Sequence, residues 1–168
     1  MKIDTFKIED WMNSYCPTAK YDLTTSCIEP MSIKELLSVV RFDENLDIFD
    51  KKLDYGEIWG SKRLKNAIKT LYVNQDFSNI TVTHGGISAN QLVYEALLEN
   101  EDEVLAIIPT YQQLYTIPKT LGPKVNFQYL REENNWLPNL NELEKNITPY
   151  TRIICLNNPN NPTGSVIP

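Results

Sequence analysis

From residue 79 onward the chain alternates β-branched or aliphatic runs with stretches of helical character, and this order restricts its fold more than any other feature. The runs span 79–83, 103–108, 124–130 and 153–156. Each reads as a strand, because such side chains suit a pleated, buried surface. Between them, Ser88 is expected to begin a helix with Gln91 as its capping-box partner. Ala89, Leu92, Val93, Ala96 and Leu97 recur at helical spacing and predict that helix's buried face. Further helices are expected over 112–117, limited by Pro118, and over 140–147. Such a succession gives an α/β fold: a mainly parallel sheet with crossover helices.

The upstream part is less regular. Residues 1–30 show no sustained period, and the first 45 or so read as arm and peripheral-domain material. Ser32 and Glu35 form a capping box that predicts a short helix over 32–40. Leu64, Ala67, Ile68 and Leu71 place one apolar stripe on a helix over 61–72. Trp11, Trp59 and Trp136 read as packing residues.

Composition excludes several classes. With 42% hydrophobic and 23% charged residues in 168, the chain can bury a core and is not globally disordered. A net charge of -6 and the lack of any basic run argue against nucleic acid as a partner. No stretch approaches membrane-spanning length and the first residues lack a secretory apolar run, so a cytoplasmic protein is expected. Cys16, Cys27 and Cys155 are odd in number and far apart, which predicts free thiols and no metal site.

Three turns follow strands, where α/β folds place ligand-binding groups. Gly85-Gly86 precedes a helix start, whose unpaired N–H groups and positive dipole end suit an anion. A plain strand-to-helix turn that needs glycine is the other reading. Pro109-Thr110-Tyr111 ends the next strand, with Tyr111 either a stacking ring or a residue packed on the sheet edge. Tyr115, one turn later, reads as core. The last strand ends in Asn157-Asn158-Pro159-Asn160-Asn161-Pro162-Thr163-Gly164. There Pro162 fixes its own φ and restricts Asn161, holding that amide in one direction, whereas Asn158 and Asn160 read as turn residues. A nucleotide-binding domain is disfavoured, because no GxGxxG or Walker pattern occurs.

Asn161-Pro162-Thr163-Gly164 after a buried strand closely resembles the signature of the class I/II aminotransferases, enzymes of fold type I that use pyridoxal 5'-phosphate (PLP). The resemblance covers roughly residues 20–168, the N-terminal half of such an enzyme. It implies a partial PLP-binding large domain over 46–168, preceded by an arm and part of a small domain over 1–45. It implies that Gly85, Gly86 and Ile87 bind the PLP phosphate and that Tyr111 stacks on the pyridine ring. Asn161 is then the donor to the phenolic oxygen of PLP and also helps hold the substrate carboxylate. Asp54-Tyr55-Gly56 with Gly60 and Leu64-Lys65 resembles a Tyr-x-x-x-Gly-x-x-x-Leu-Arg segment at slightly different spacing. Tyr55 would reach the phosphate of a neighbouring subunit, which implies a homodimer; a loop tyrosine beside two turn glycines is the alternative. Ser26-Cys27-Ile28-Glu29-Pro30 occupies the segment that offers a backbone N–H, here at Ile28, to the substrate carboxylate, although the usual glycine is missing. His84, the only histidine, is given no catalytic role.

The implied activity is transfer of an amino group between an amino acid and a 2-oxo acid, in biosynthesis. A PLP-dependent lyase, decarboxylase or cyclase of the same fold is the alternative, and a non-catalytic α/β fragment is the reading from another class. In the family the Schiff-base lysine, the acid on the pyridine nitrogen and the carboxylate-binding arginine follow the Asn-Pro-Thr-Gly turn. No lysine here stands in a Ser-x-x-Lys context, so no catalytic residue is assigned and a fragment, inactive alone, is expected. Such a piece would leave a bare parallel edge and is expected to be poorly soluble or partly ordered by itself.

Overall fold

The run Glu103–Ile108 forms the central strand, β1, and every residue but its last is buried, as a strand covered on both faces requires. The computed structural model describes residues 3–24, 27–39 and 52–168. β1 pairs in parallel with Lys124–Tyr129 (β2) on one side and Thr151–Cys155 (β3) on the other, giving the order β2-β1-β3. The helices among the described residues are Lys7–Tyr15 (α1), Ile33–Val39 (α2), Lys62–Lys69 (α3), Gly86–Leu97 (α4), Gln113–Leu121 (α5) and Leu140–Asn146 (α6). The chain divides into two units, Met1–Lys7 with Val82–Pro168, and Ile8–Thr81. The boundary expected near residue 45 lies outside the described residues, as does Val40 at the expected end of α2.

In the sheet-bearing unit, Tyr94 of α4, Val104 and Ala106 of β1 and Cys155 of β3 make the buried cluster, with Leu114 and Ile117 of α5 packed on it. Tyr94 is the residue that α4 turns inward. Leu92, Val93 and Leu97, expected on the buried face, are each nearly half exposed, and Tyr94 takes the inward position instead. The capping box expected at Ser88 does not form. The helix starts earlier, with Gly85 as its cap; the Ser88 hydroxyl donates to the His84 carbonyl and the Gln91 amide to Glu95.

Pro118 does not limit α5 but lies buried inside it. A proline there lacks the N–H that would bond the carbonyl four residues earlier, on Leu114. The Tyr94 hydroxyl donates to that carbonyl instead, at 3.0 Å. Its single proton is then used, so the Cys155 thiol is the donor in the 3.1 Å contact between them. Burial, reinforced by the thiol, pushes the Tyr94 phenol far above its ordinary range, and burial pushes the Cys155 thiol up. Both stay protonated, so their contribution holds below the ordinary thiol value of 9.0 and is lost as the pH rises past it.

The strand expected over 79–83 is absent. Phe77–Asn79 is a 3-10 turn and Ile80 is extended at φ -111 and ψ 122, but no neighbouring strand pairs with 80–83 among the described residues. An extended segment becomes a strand only through such pairing.

At the amino-terminal rim of the sheet, Glu103 accepts hydrogen bonds from Lys124 Nζ (2.8 Å), Asn126 Nδ2 (2.8 Å) and Thr148 Oγ1 (2.7 Å). These donors, with Lys124 first, hold its carboxyl below the usual carboxylate range. They come from β2 and from the turn before β3, so one carboxylate joins all the strands.

In the other unit, Ser61 caps α3 by accepting from the Leu64 N–H, and the expected capping box forms at α2, where Ser32 and Glu35 bond reciprocally. The α3 stripe is not buried: Leu64 and Leu71 are exposed, and Lys65 is the buried residue, its ammonium 4.1 Å from the Phe77 ring centroid. Trp59 is exposed, contrary to a packing role, while Trp11 lies against Tyr15.

Tyr94→Phe is expected to lower the unfolding free energy by about 1–3 kcal/mol, because it strands a buried carbonyl. In a Pro118→Ala background the restored N–H meets that carbonyl, so the same change costs less. Equal costs in both backgrounds, measured by urea denaturation, would rule out the pairing. Glu103→Gln is expected to lower the melting temperature near neutrality. The folded-state pKa of Glu103 is depressed, so its contribution is present above the ordinary carboxylate value and vanishes as pH falls through the folded one. Melting curves of wild type and variant should therefore converge in acid; a constant gap at every pH would contradict this.

Candidate functional site

β1 and β3 are neighbours that run in parallel, so the loops after them leave the same rim. The loop after β3 is organised by its asparagines. Asn157 Oδ1 accepts from the Asn161 N–H at 2.7 Å, and Asn158 Oδ1 accepts from the Ile167 N–H at 2.9 Å. Asn160 is buried, and its backbone exchanges bonds with Ser165 and Gly164. Its amide donates to Thr163 Oγ1 at 2.9 Å and, across to the other loop, to the Pro109 carbonyl at 3.1 Å. That last bond fastens the Asn161 loop to the Pro109-Thr110-Tyr111 loop. Asn161 itself stays exposed, and its carboxamide has no protein partner among the described residues.

Tyr111 is half-buried and meets Phe6 in a T-shaped contact, with ring centroids 5.2 Å apart at 87°. Thr110 Oγ1, Gln113 Oε1 and Gln128 Oε1 are shielded from solvent yet lack a hydrogen-bond partner among the described residues. Tyr115 packs as expected, edge-on to Phe127 and against the core cluster.

The diglycine turn begins α4. Gly85 sits at φ 86 and ψ 155, a region only glycine enters readily, with its N–H on the Thr83 carbonyl. No side chain caps this helix, so its first-turn amides at Gly86 and Ile87 lack the partner that Ser61 and Asn139 supply to α3 and α6. A Cβ added at either glycine would meet nothing within 4 Å.

Tyr55 and Ile28 belong to the other unit and are both strongly exposed; Ser26 lies outside the described residues. The tie made by Asn160 and the contact made by Phe6 were not foreseen. Asn160 reads in sequence as one turn residue among several, and Phe6 stands in a segment without period.

A hollow of about 410 Å³ lies among Arg131, Asn139, Glu142 and Lys145 and holds none of the candidate residues. Both signs of charge line it and Arg131 pairs with Glu142 at 3.2 Å, which marks a solvated surface dip. Among the described residues no His/Cys/Asp/Glu group could hold a metal, and no helix is long and apolar enough to cross a membrane.

Comparison with known proteins identifies the family. The family model for aminotransferase class I and II matches residues 31–168. A crystal structure of a PLP-dependent aminotransferase from Streptococcus suis superposes with a TM-score of 0.92 and 39% identity, covering 99% of this chain and 46% of that one. A PLP-dependent cyclase superposes at 0.81 and 25% identity, over 99% of this chain and 44% of its own. An aspartate aminotransferase from Pyrococcus horikoshii is 35% identical over 113 residues, 64% of this chain and 29% of the relative. The chain thus spans less than half the length of each of these proteins. With its model matched over most of the sequence, the chain belongs to the class I and II aminotransferases, a family whose cofactor is pyridoxal phosphate.

Proposed function

We propose that this chain provides the cofactor-holding, N-terminal portion of a PLP-dependent aminotransferase that exchanges an amino group between an amino acid and a 2-oxo acid. The observation that carries the reading is the Asn160–Pro109 hydrogen bond, which sets the loop of Asn161 beside that of Tyr111. The residues present fit the cofactor. Open space over Gly85 and Gly86 lets a phosphate approach amides with no capping side chain. Thr110, next to Tyr111 in sequence, has a buried hydroxyl without a protein partner among the described residues, which a bound polar group could satisfy.

When bound, the cofactor supplies an electron sink for the bonds at the substrate α-carbon. This chain's residues bind and orient. The Gly86 and Ile87 amides hold the phosphate, and the Tyr111 ring packs on the flat heterocycle. The free Asn161 carboxamide donates to the phenolic oxygen and helps hold the substrate carboxylate. Ile28 offers a backbone N–H to that carboxylate. Tyr55 serves the phosphate of a partner subunit, which makes the functional unit a homodimer. Residues 46–168 belong to the large cofactor domain on this reading. No Ser-x-x-Lys occurs in the sequence, so the covalent and proton-shuttling lysine is assigned to no residue here.

The cyclase match over 99% of the chain favours a second reading, another PLP-dependent reaction on the same cradle. The two readings share every residue named above and differ in whether an amino acid donor leaves its 2-oxo acid.

The test is PLP binding by visible absorbance in the full-length protein, followed by product analysis with amino acid donors. Asn161→Ala is expected to weaken PLP about tenfold or more, the worth of a hydrogen bond to a charged group. Gly86→Ala should keep the melting temperature but weaken PLP, since its methyl enters the phosphate's approach. Gly85→Ala should cost about 1–3 kcal/mol of stability through its backbone angle alone. A protein that ignores PLP would leave a non-catalytic α/β fragment as the reading, and a Gly86→Ala variant with unchanged affinity would overturn the phosphate's placement at the diglycine turn.

A further inference from the structure

We propose that residues 4–7 form a strap whose Phe6 fixes the ring plane of Tyr111, making Phe6 a positioning residue for the cofactor. The inference rests on the reading that Tyr111 stacks on the cofactor ring. Its physical basis is a clasp made by the residue next to Tyr111. Gln112 Nε2 donates to the Thr5 carbonyl at 2.8 Å, and Gln112 Oε1 accepts from the Lys7 N–H at 3.1 Å. The carboxamide therefore pairs with the backbone on both sides of Phe6. Farther along α5, Lys119 Nζ bonds Asp4 Oδ2 at 2.8 Å, an exposed pair that contributes little. Phe6 is half-buried while Asp4, Thr5 and Lys7 are exposed, so the strap turns one residue inward, and that residue meets Tyr111.

The consequence is preorganisation. Side-chain freedom that is lost on stacking counts against binding. The edge-to-face contact with Phe6 limits the rotation of the Tyr111 ring beforehand. An aromatic pair of this kind corresponds to about two- to tenfold in affinity.

The experiment measures PLP dissociation constants, melting temperatures and the near-ultraviolet circular dichroism of the tyrosines in the full-length protein. Phe6→Ala should weaken PLP about two- to tenfold, and Phe6→Tyr, which keeps a ring, should restore the wild-type value. Gln112→Ala, which opens the clasp without touching either ring, should weaken PLP in the same direction and alter the dichroism. The effects of Phe6→Ala and Tyr111→Ala should be non-additive, because the first acts only through the second. If Tyr111→Ala weakens PLP while Phe6→Ala and Gln112→Ala do not, the strap proposal fails and the cofactor reading stands. If Tyr111→Ala leaves PLP affinity unchanged, the stacking role itself fails. Tighter binding in Phe6→Ala would show a plug and overturn the proposal, as would loss of folding in both strap variants, which marks a purely structural segment.

Discussion

Parallel strands that share a ladder deliver their loops to one rim, but the ladder ends with the strands and fixes nothing beyond them. Here a buried carboxamide fastens the loop after β3 to the loop after β1. Asn160 bonds within its own turn and to the Pro109 carbonyl of the next loop, leaving Asn161 outward with its side chain unspent. The division of labour follows from burial. A buried amide must be satisfied by protein, whereas an exposed neighbour need not be. Two adjacent asparagines thus have opposite roles: one is consumed by structure and the other stays available to a ligand.

Packing under the rim obeys the same accounting. A proline inside α5 orphans a carbonyl, and α4 supplies the Tyr94 hydroxyl that satisfies it. The price of this repair is paid on α4 itself. To seat Tyr94 against Cys155 the helix turns its aliphatic residues Leu92, Val93 and Leu97 partly outward. The outer faces of the edge strands also keep apolar exposure, as at Phe127 and Ile154.

Much of this was legible in the sequence. β1 is uninterruptedly apolar after Glu103, and so short a run between polar turn segments suits a strand covered on both sides, so its bounds were read to the residue. The Asn-Pro-Thr-Gly turn was legible because proline restricts its neighbour locally. What failed needed a partner distant in sequence. The rotation of α4 depends on a carbonyl twenty residues away, orphaned by Pro118. The 79–83 run has strand propensity but no neighbour to pair with among the described residues, and propensity alone makes no ladder. Ser88 has the right spacing for a cap, but the helix begins before it, at a glycine whose positive φ no local rule predicts. Phe6 became interpretable only when Gln112 was seen to clasp it from more than a hundred positions away.

The two rims of the sheet carry opposite chemistry, and this separation suits an anionic cofactor. The buried carboxylate that joins the strands is Glu103, at their amino ends, where lysine and polar donors hold it ionised. The carboxyl rim is joined instead by a neutral amide and a neutral carbonyl. β1 separates the two over six residues, a rise of about 17–20 Å. A structural carboxylate at the carboxyl rim would repel an anion bound among these loops. Neutral ties there hold the loops without placing a fixed negative charge among them.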